Sequence, residues 1–133
     1  MATTVVIGLG SVLACAPNEP SVERDSVLEQ QLMSIQEGGE QQRLHDLVAG
    51  DWSTVHIFDM ESVVRDYVEE RVGHSIDMSD HFLTEGMLLV FVNDEEVVRG
   101  ATVYDVRFML DYQTGDVEAV VEHDTTTGYL KLK

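Results

Sequence analysis

The spacing of apolar positions predicts two helices near the start of the chain. The first helix covers residues 21–35, with Ser21 as its N-cap and Gly38-Gly39 as its stop signal. Its apolar residues recur at intervals of three and four: Val27, Leu28, Leu32 and Ile35. A second, shorter helix is expected over residues 40–48, and its narrow apolar face predicts packing at the edge of the fold.

The next segment predicts a strand, a helix and a buried strand in that order. Residues 52–58 alternate in the manner of a strand, and residues 61–72 repeat apolar side chains at helical spacing before Gly73. Residues 87–92 read Met-Leu-Leu-Val-Phe-Val, apolar at every position. A strand of that kind is covered on both faces, so we expect it at the centre of a sheet.

The remaining sequence predicts short strands joined by turns. Residues 93–96 indicate a turn into a strand at 97–99, and residues 113–115 a second turn with glycine at its left-handed position. Between them one strand face would carry Thr102, Tyr104, Val106 and Phe108, and further strands are expected at 117–123 and 129–132. The predicted fold is α+β, with N-terminal helices packed on an antiparallel sheet of about five strands.

Charge narrows the classes of partner. The chain has 133 residues with 8 Lys plus Arg against 25 Asp plus Glu, a net charge of −17. Such a surface repels nucleic acid and anionic lipid headgroups, and it is compatible with a basic protein partner or divalent cations. Strong acidity is also typical of soluble proteins from salt-loving organisms, which stays an alternative.

The N-terminal region has the pattern of an export and anchoring signal. Residues 3–14 form an apolar run of the length of a signal-peptide core, too short to span a bilayer. The next residue is the chain's single cysteine, and Val12-Leu13-Ala14-Cys15 resembles a bacterial lipobox. The resemblance implies a signal peptide at 1–14, a lipid on Cys15, a tether over 15–20 and a domain at 21–133. It also implies a location in the bacterial cell envelope, outside the cytoplasm.

Two other interpretations of the same region stay open. Residues 5–13 could be a buried strand followed by a core cysteine. Residues 8–11, Gly-Leu-Gly-Ser, weakly resemble a nucleotide-binding loop but lack a third glycine and a following βαβ pattern.

Residues 44–98 resemble a family of small bacterial lipoproteins that has no assigned biochemical activity. The shared features are Leu44-x-x-Leu47, a strand opened by Trp52 that reads W-S-T-V-H-I-F, and the later run L-L-V-F-V that ends at Val92. The resemblance implies export and gives no activity.

Few residues have the pattern of a chemical site. His74, Asp77 and His81 lie between the predicted helix and the central strand, and imidazoles with a carboxylate suit zinc. A metal-binding or hydrolytic domain using these three residues is therefore an alternative, with a solvated loop as the plainer interpretation.

Other candidates are weaker. No serine lies in a Gly-x-Ser-x-Gly elbow, and residues 111–116 lack the ligand spacing of a calcium loop, so a hairpin turn explains them. Trp52 could anchor an interface, although tryptophan beside a strand is more often a core residue. The sequence thus favours a non-catalytic, cofactor-free, lipid-anchored domain that binds an unknown protein partner, for which a basic protein is a compatible class.

Overall fold

The computed structural model describes residues 21–62, 64–78 and 86–133. Within them lie helices α1 (Ser26–Gln36), α2 (Leu44–Leu47) and α3 (Arg65–Val72), and a 3-10 turn at Met60–Ser62. The strands are β1 (Val22–Arg24), β2 (Gln42–Arg43), β3 (Thr54–Asp59), β4 (Met87–Val92), β5 (Val97–Val103), β6 (Tyr112–Asp116), β7 (Val120–His123) and β8 (Leu130–Leu132). The α+β class is confirmed.

The strands form two sheets. The main sheet has the order β1-β5-β4-β3-β6, and the small sheet has the order β2-β7-β8. β4 lies in the middle of the main sheet and all six of its residues are buried, so the predicted central strand is confirmed. The hairpin between β4 and β5 is also present, with its turn at residues 93–96.

The main sheet is covered on both faces because its central strands are apolar on both. One face carries Leu89 and Phe91 and packs against α1 and the small sheet. The other face carries Leu88 and Val90 and packs against α3 and the segment that includes Ile76. Burial of these side chains is the main source of stability, at about 25 cal/mol for each Å² of apolar surface removed from water.

The start of the first helix differs from the prediction. α1 begins at Ser26 and its N-cap is Asp25, whose Oδ1 accepts a hydrogen bond of 3.0 Å from the Leu28 amide. Residues Val22–Arg24 instead form β1, which runs parallel to β5. The predicted Ser21 cap is therefore wrong, and the main sheet is not wholly antiparallel, because pairing with β5 satisfies the backbone that the helix would have used.

The other helices are shorter than predicted. α2 is a single turn, since Gln42 and Arg43 pair with β7. α3 begins at Arg65 and ends at Val72, and the predicted stop signal Gly73 is its C-cap at φ +83°. α3 lies between β3 and β4 in the chain, so the helices are not gathered at the N-terminus. Among the described residues, no helix has the length and apolar character needed to cross a membrane.

Two predicted features of the C-terminal half are wrong. The strand expected to carry Tyr104, Val106 and Phe108 stops at Val103, because Asp105 adopts φ +60° and turns the chain toward β8. Residues 113–115 are not a turn: they lie inside β6, which pairs antiparallel with β3. A Cβ atom at Gly115 would lie 2.7 Å from the Leu132 Cδ2 atom, so a larger residue there would require the Leu132 side chain to move.

Candidate functional site

Five residues with exposed carboxylates flank strand ends at one end of the main sheet: Asp51, Asp94, Glu95, Glu96 and Asp116. We call this group the acidic end. The topology explains this placement, because Thr54 at the start of β3 lies opposite Val92 at the end of β4 and opposite Asp116 at the end of β6. Adjacent strands are only about 4.8 Å apart, so the loops that flank these strand ends share one surface.

Hydrogen bonds fix the backbone of the acidic end. The Oδ1 atom of Asn93 accepts bonds of 2.9 Å from the amides of both Glu95 and Glu96. The Asn93 Nδ2 atom donates to the Asp51 carbonyl oxygen at 3.2 Å, which ties the hairpin turn to the entry of β3. A depression of about 290 Å³ lies between these two loops. These hydrogen bonds fix the backbone that carries the Asp51, Glu95 and Glu96 side chains.

The basic side chains are engaged elsewhere. Arg43 bonds Glu118 at 3.1 Å, Arg107 lies between Asp59 and Glu61, and Lys131 and Lys133 both reach Glu122. Within the described part of the chain, the ion pairs do not include the carboxylates of the acidic end. This end therefore keeps an uncompensated negative charge that can attract cations.

A second polar group lies on the face of the main sheet that α3 covers. The Nδ1 atom of His56 is 2.9 Å from the Tyr112 hydroxyl oxygen, and the Arg71 guanidinium lies 5.2 Å from the ring centroids of Tyr67 and Tyr112. Burial lowers the pKa of His56, and burial also raises the pKa of Tyr112. These directions favour a neutral imidazole and a neutral phenol.

The predicted metal ligands are only partly placed. His74 is half-buried, Asp77 is exposed, and His81 lies outside the described residues. The Asp77 carboxylate accepts a hydrogen bond of 3.1 Å from the Ser21 hydroxyl, and the Asp77 carbonyl accepts one of 3.2 Å from the Val22 amide. Asp77 therefore holds the N-terminal end of β1. Within residues 21–62, 64–78 and 86–133, no three His, Cys, Asp or Glu side chains are grouped to hold a metal ion.

Trp52 lies in the core with 3% of its surface exposed. Its Nε1 atom donates a hydrogen bond of 2.8 Å to the Val48 carbonyl, and its ring packs edge-on against Phe91. Trp52 is therefore a core residue, and it presents almost no surface to a partner. Cys15 lies outside the described residues.

Sequence reasoning missed both the acidic end and the contact between His56 and Tyr112. The alternating pattern puts His56 on a strand correctly, but Tyr112 belongs to a segment that the sequence predicts as a turn. Glu95 and Glu96 have the pattern of turn residues, and Asp51 and Asp116 are far from them in sequence. The signal that could have joined them is the pairing of β3 with both β4 and β6.

No protein-family model, curated protein sequence or solved structure matches this chain.

Proposed function

We propose that this chain is a lipid-anchored, non-catalytic domain of the bacterial cell envelope that binds a basic protein partner through the acidic end. The observation that supports binding is the placement of five exposed carboxylates at one end of the main sheet, outside the ion pairs of the described residues. Complementary charge of this kind speeds association and selects partners. The lipobox and the family resemblance support the anchor.

The basic partner is tested with a defined probe, a short oligolysine peptide, titrated by calorimetry at low and physiological salt. A variant with Asp94→Asn, Glu95→Gln and Glu96→Gln should bind about tenfold more weakly, which corresponds to about 1.4 kcal/mol. The amide replacements leave the backbone bonds to Asn93 in place. Affinity of the unchanged protein should fall as salt rises.

The matched control removes the same charge elsewhere. Glu37, Glu40 and Glu70 are exposed and lie outside the acidic end. Their triple replacement by glutamine lowers the net negative charge equally, so it isolates the contribution of position. Equal weakening in both variants would show that only net charge matters, and the assignment of binding to the acidic end would be wrong.

The anchor is tested by expression of the full chain in a bacterium with labelled palmitate. The unchanged protein should carry the label and sediment with membranes, because more than one acyl chain gives stable anchoring. Cys15→Ser should lose the label and leave the membrane fraction or stay unprocessed. Unlabelled, soluble protein that retains residues 1–14 would contradict the lipoprotein assignment.

A further inference from the structure

β6 forms an edge of the main sheet whose outward backbone groups are set by its pairing with β3. The Asp59 amide donates to the Asp111 carbonyl at 2.9 Å, so this pair is a hydrogen-bonded one. Such pairs alternate along an antiparallel ladder, which makes Ile57 with Gln113 the next bonded pair. The N–H and C=O groups of Tyr112 and Thr114 therefore point away from β3.

The two edges of the main sheet differ in their protection. β1 has three residues, two of them the charged Glu23 and Arg24, and the Val22 amide is used by the Asp77 carbonyl. β6 has five residues, reads Tyr-Gln-Thr-Gly-Asp, and contains neither lysine nor proline. Sheet edges are normally blunted by short length, charge or proline, so β6 is the edge that can accept another strand.

We propose that β6 pairs antiparallel with β6 of a second copy of this chain, about a twofold axis at Thr114. In this register Thr114 lies opposite the partner's Thr114, and Tyr112 lies opposite the partner's Asp116. An interface that repeats itself in this way is self-complementary, as a twofold dimer requires. Two main sheets would then join into one continuous sheet.

Charge complementarity supports this occupant. The side chains of Tyr112 and Asp116 are on one face of β6, since alternate residues of a strand share a face. The Arg71 guanidinium lies over the Tyr112 ring on that face, 5.2 Å from its centroid. The proposed register therefore brings the partner's Asp116 next to Arg71, and symmetry repeats the pair.

Exposed apolar side chains flank both ends of β6. Met109, Leu110 and Val117 are 40%, 51% and 36% exposed. In the proposed register residue 111 lies opposite residue 117 of the second copy, so Leu110 approaches the partner's Val117. The antiparallel arrangement also puts the two acidic ends at opposite ends of the dimer, which limits their repulsion.

Such a dimer is expected to be weak, because a short strand edge buries less surface than a standard stable interface. The test is sedimentation velocity of the folded domain at physiological ionic strength, from about 10 µM to about 1 mM. The unchanged protein should shift from monomer to dimer across this range. A monomer at every concentration would overturn the proposal. That outcome would include the case in which the β6 edge binds an extended peptide from another protein.

Charge reversal tests the register. Arg71→Glu and Asp116→Lys should each be monomeric, since each puts like charges together across the axis. An equimolar mixture of the two variants should recover the dimer, because each introduced charge then faces its opposite while the native Arg71 and Asp116 face each other. Asp46→Lys, which changes an exposed carboxylate on α2, is the matched control and should dimerise normally.

Thr114→Pro tests the backbone bonds. It removes an outward N–H group and leaves the bonds between β6 and β3 intact, so the variant should melt cooperatively and stay monomeric. Dimers that persist in the two charge variants, or a mixture of them that stays monomeric, would overturn the proposal. If Thr114→Pro does not fold, the oligomeric states of the two charge variants and of their mixture still test the proposal.

Discussion

The Nδ1 atom of His56 lies 2.9 Å from the hydroxyl oxygen of Tyr112, although 56 positions separate the two residues in the chain. His56 is 9% exposed and its ring packs near the rings of both Phe58 and Tyr112. The imidazole therefore belongs to the core on the α3 side of the main sheet. Because burial penalises the imidazolium form, the pKa of His56 lies below its usual 6.5.

This contact predicts a loss of stability in mild acid. With a lowered pKa in the folded state, the unfolded chain binds a proton at His56 more readily below about pH 6.5. Protonation thus favours unfolding, and the free energy of unfolding should fall by at most about 1.4 kcal/mol per pH unit from this group. Above pH 6.5 its contribution should be fully present. Urea melts between pH 5 and pH 8 measure the slope.

His56→Gln should flatten that slope, because the uncharged amide can donate a hydrogen bond to the Tyr112 hydroxyl or accept one from it, and it does not titrate. His74→Gln is the matched control, since His74 lies outside the contact with Tyr112. If both variants keep the slope of the unchanged protein, another group is responsible for the acid sensitivity.

Loss of the Arg107 ion pair should cost more stability than loss of the Arg43 ion pair. Its Nη1 atom lies 3.2 Å from Asp59 Oδ2, and the Asp59 side chain is only 9% exposed. Arg107→Met leaves that carboxylate buried without its cation, and we expect a cost of about 1–3 kcal/mol. Arg43→Met breaks a pair in which Glu118 is 74% exposed, so its cost should stay below about 1 kcal/mol.

Chemical denaturation of the two variants measures this contrast. The double variant Asp59→Asn with Arg107→Met should recover part of the loss, because the buried charge is removed along with its partner. Equal costs for Arg107→Met and Arg43→Met would mean that water reaches Asp59 and that its burial adds nothing.

The sequence correctly predicts those elements whose burial follows from their own apolar pattern. β4 is apolar at every position and can lie only inside a sheet, and Gly73 ends α3 because it tolerates a left-handed conformation. β1 could not be predicted, because its pairing with β5 joins residues such as Val22 and Gly100 that are far apart in sequence.

The candidate sites could not be predicted from local sequence pattern either. His74 and Asp77 stand out in the sequence because they are neighbours in it, yet in the structure the Asp77 carboxylate holds the Ser21 hydroxyl. The acidic end joins Asp51, Glu95 and Asp116 only through strand register, which no local pattern in the sequence shows.

One methyl group added at Gly86 should strongly lower the free energy of unfolding. It adopts φ +131°, and a Cβ atom there would lie 2.4 Å from the Val103 carbonyl oxygen. Gly86→Ala must therefore move the backbone of β5, and we expect a loss of about 3 kcal/mol. Gly73 also has a positive φ, +83°, but no neighbouring atom lies within 4 Å of the place that a Cβ atom would take. Gly73→Ala should then cost only about 1 kcal/mol for backbone strain.

Thermal melts of Gly86→Ala and Gly73→Ala measure the difference between contact and strain. Similar melting temperatures would show that the start of β4 can shift away from Val103 at little cost.

From the pairing of β1 with β5, we expect the folded domain to need the residues from Ser21 onward. A chain that starts at Ser21 keeps the Ser21–Asp77 hydrogen bond, and it should melt at the same temperature as one that starts at Ala16. A chain that starts at Asp25 loses β1 and the Arg24 partner of Glu29, whose side chain is only 8% exposed. Each kcal/mol lost lowers the melting temperature of a domain of this size by about 4 °C.

Arg24→Met in the chain that starts at Ser21 separates the ion pair from the strand. The Arg24–Glu29 pair spans 2.9 Å, and hydrogen bonding from Arg24 lowers the pKa of Glu29. Glu29 keeps a 2.8 Å bond from the Tyr104 amide in this variant, so its melting temperature should fall less than that of the chain that starts at Asp25. Equal melting temperatures for the chains that start at Ser21 and at Asp25 would mean that pairing with β5 adds no stability, and the domain would then begin at the N-cap of α1.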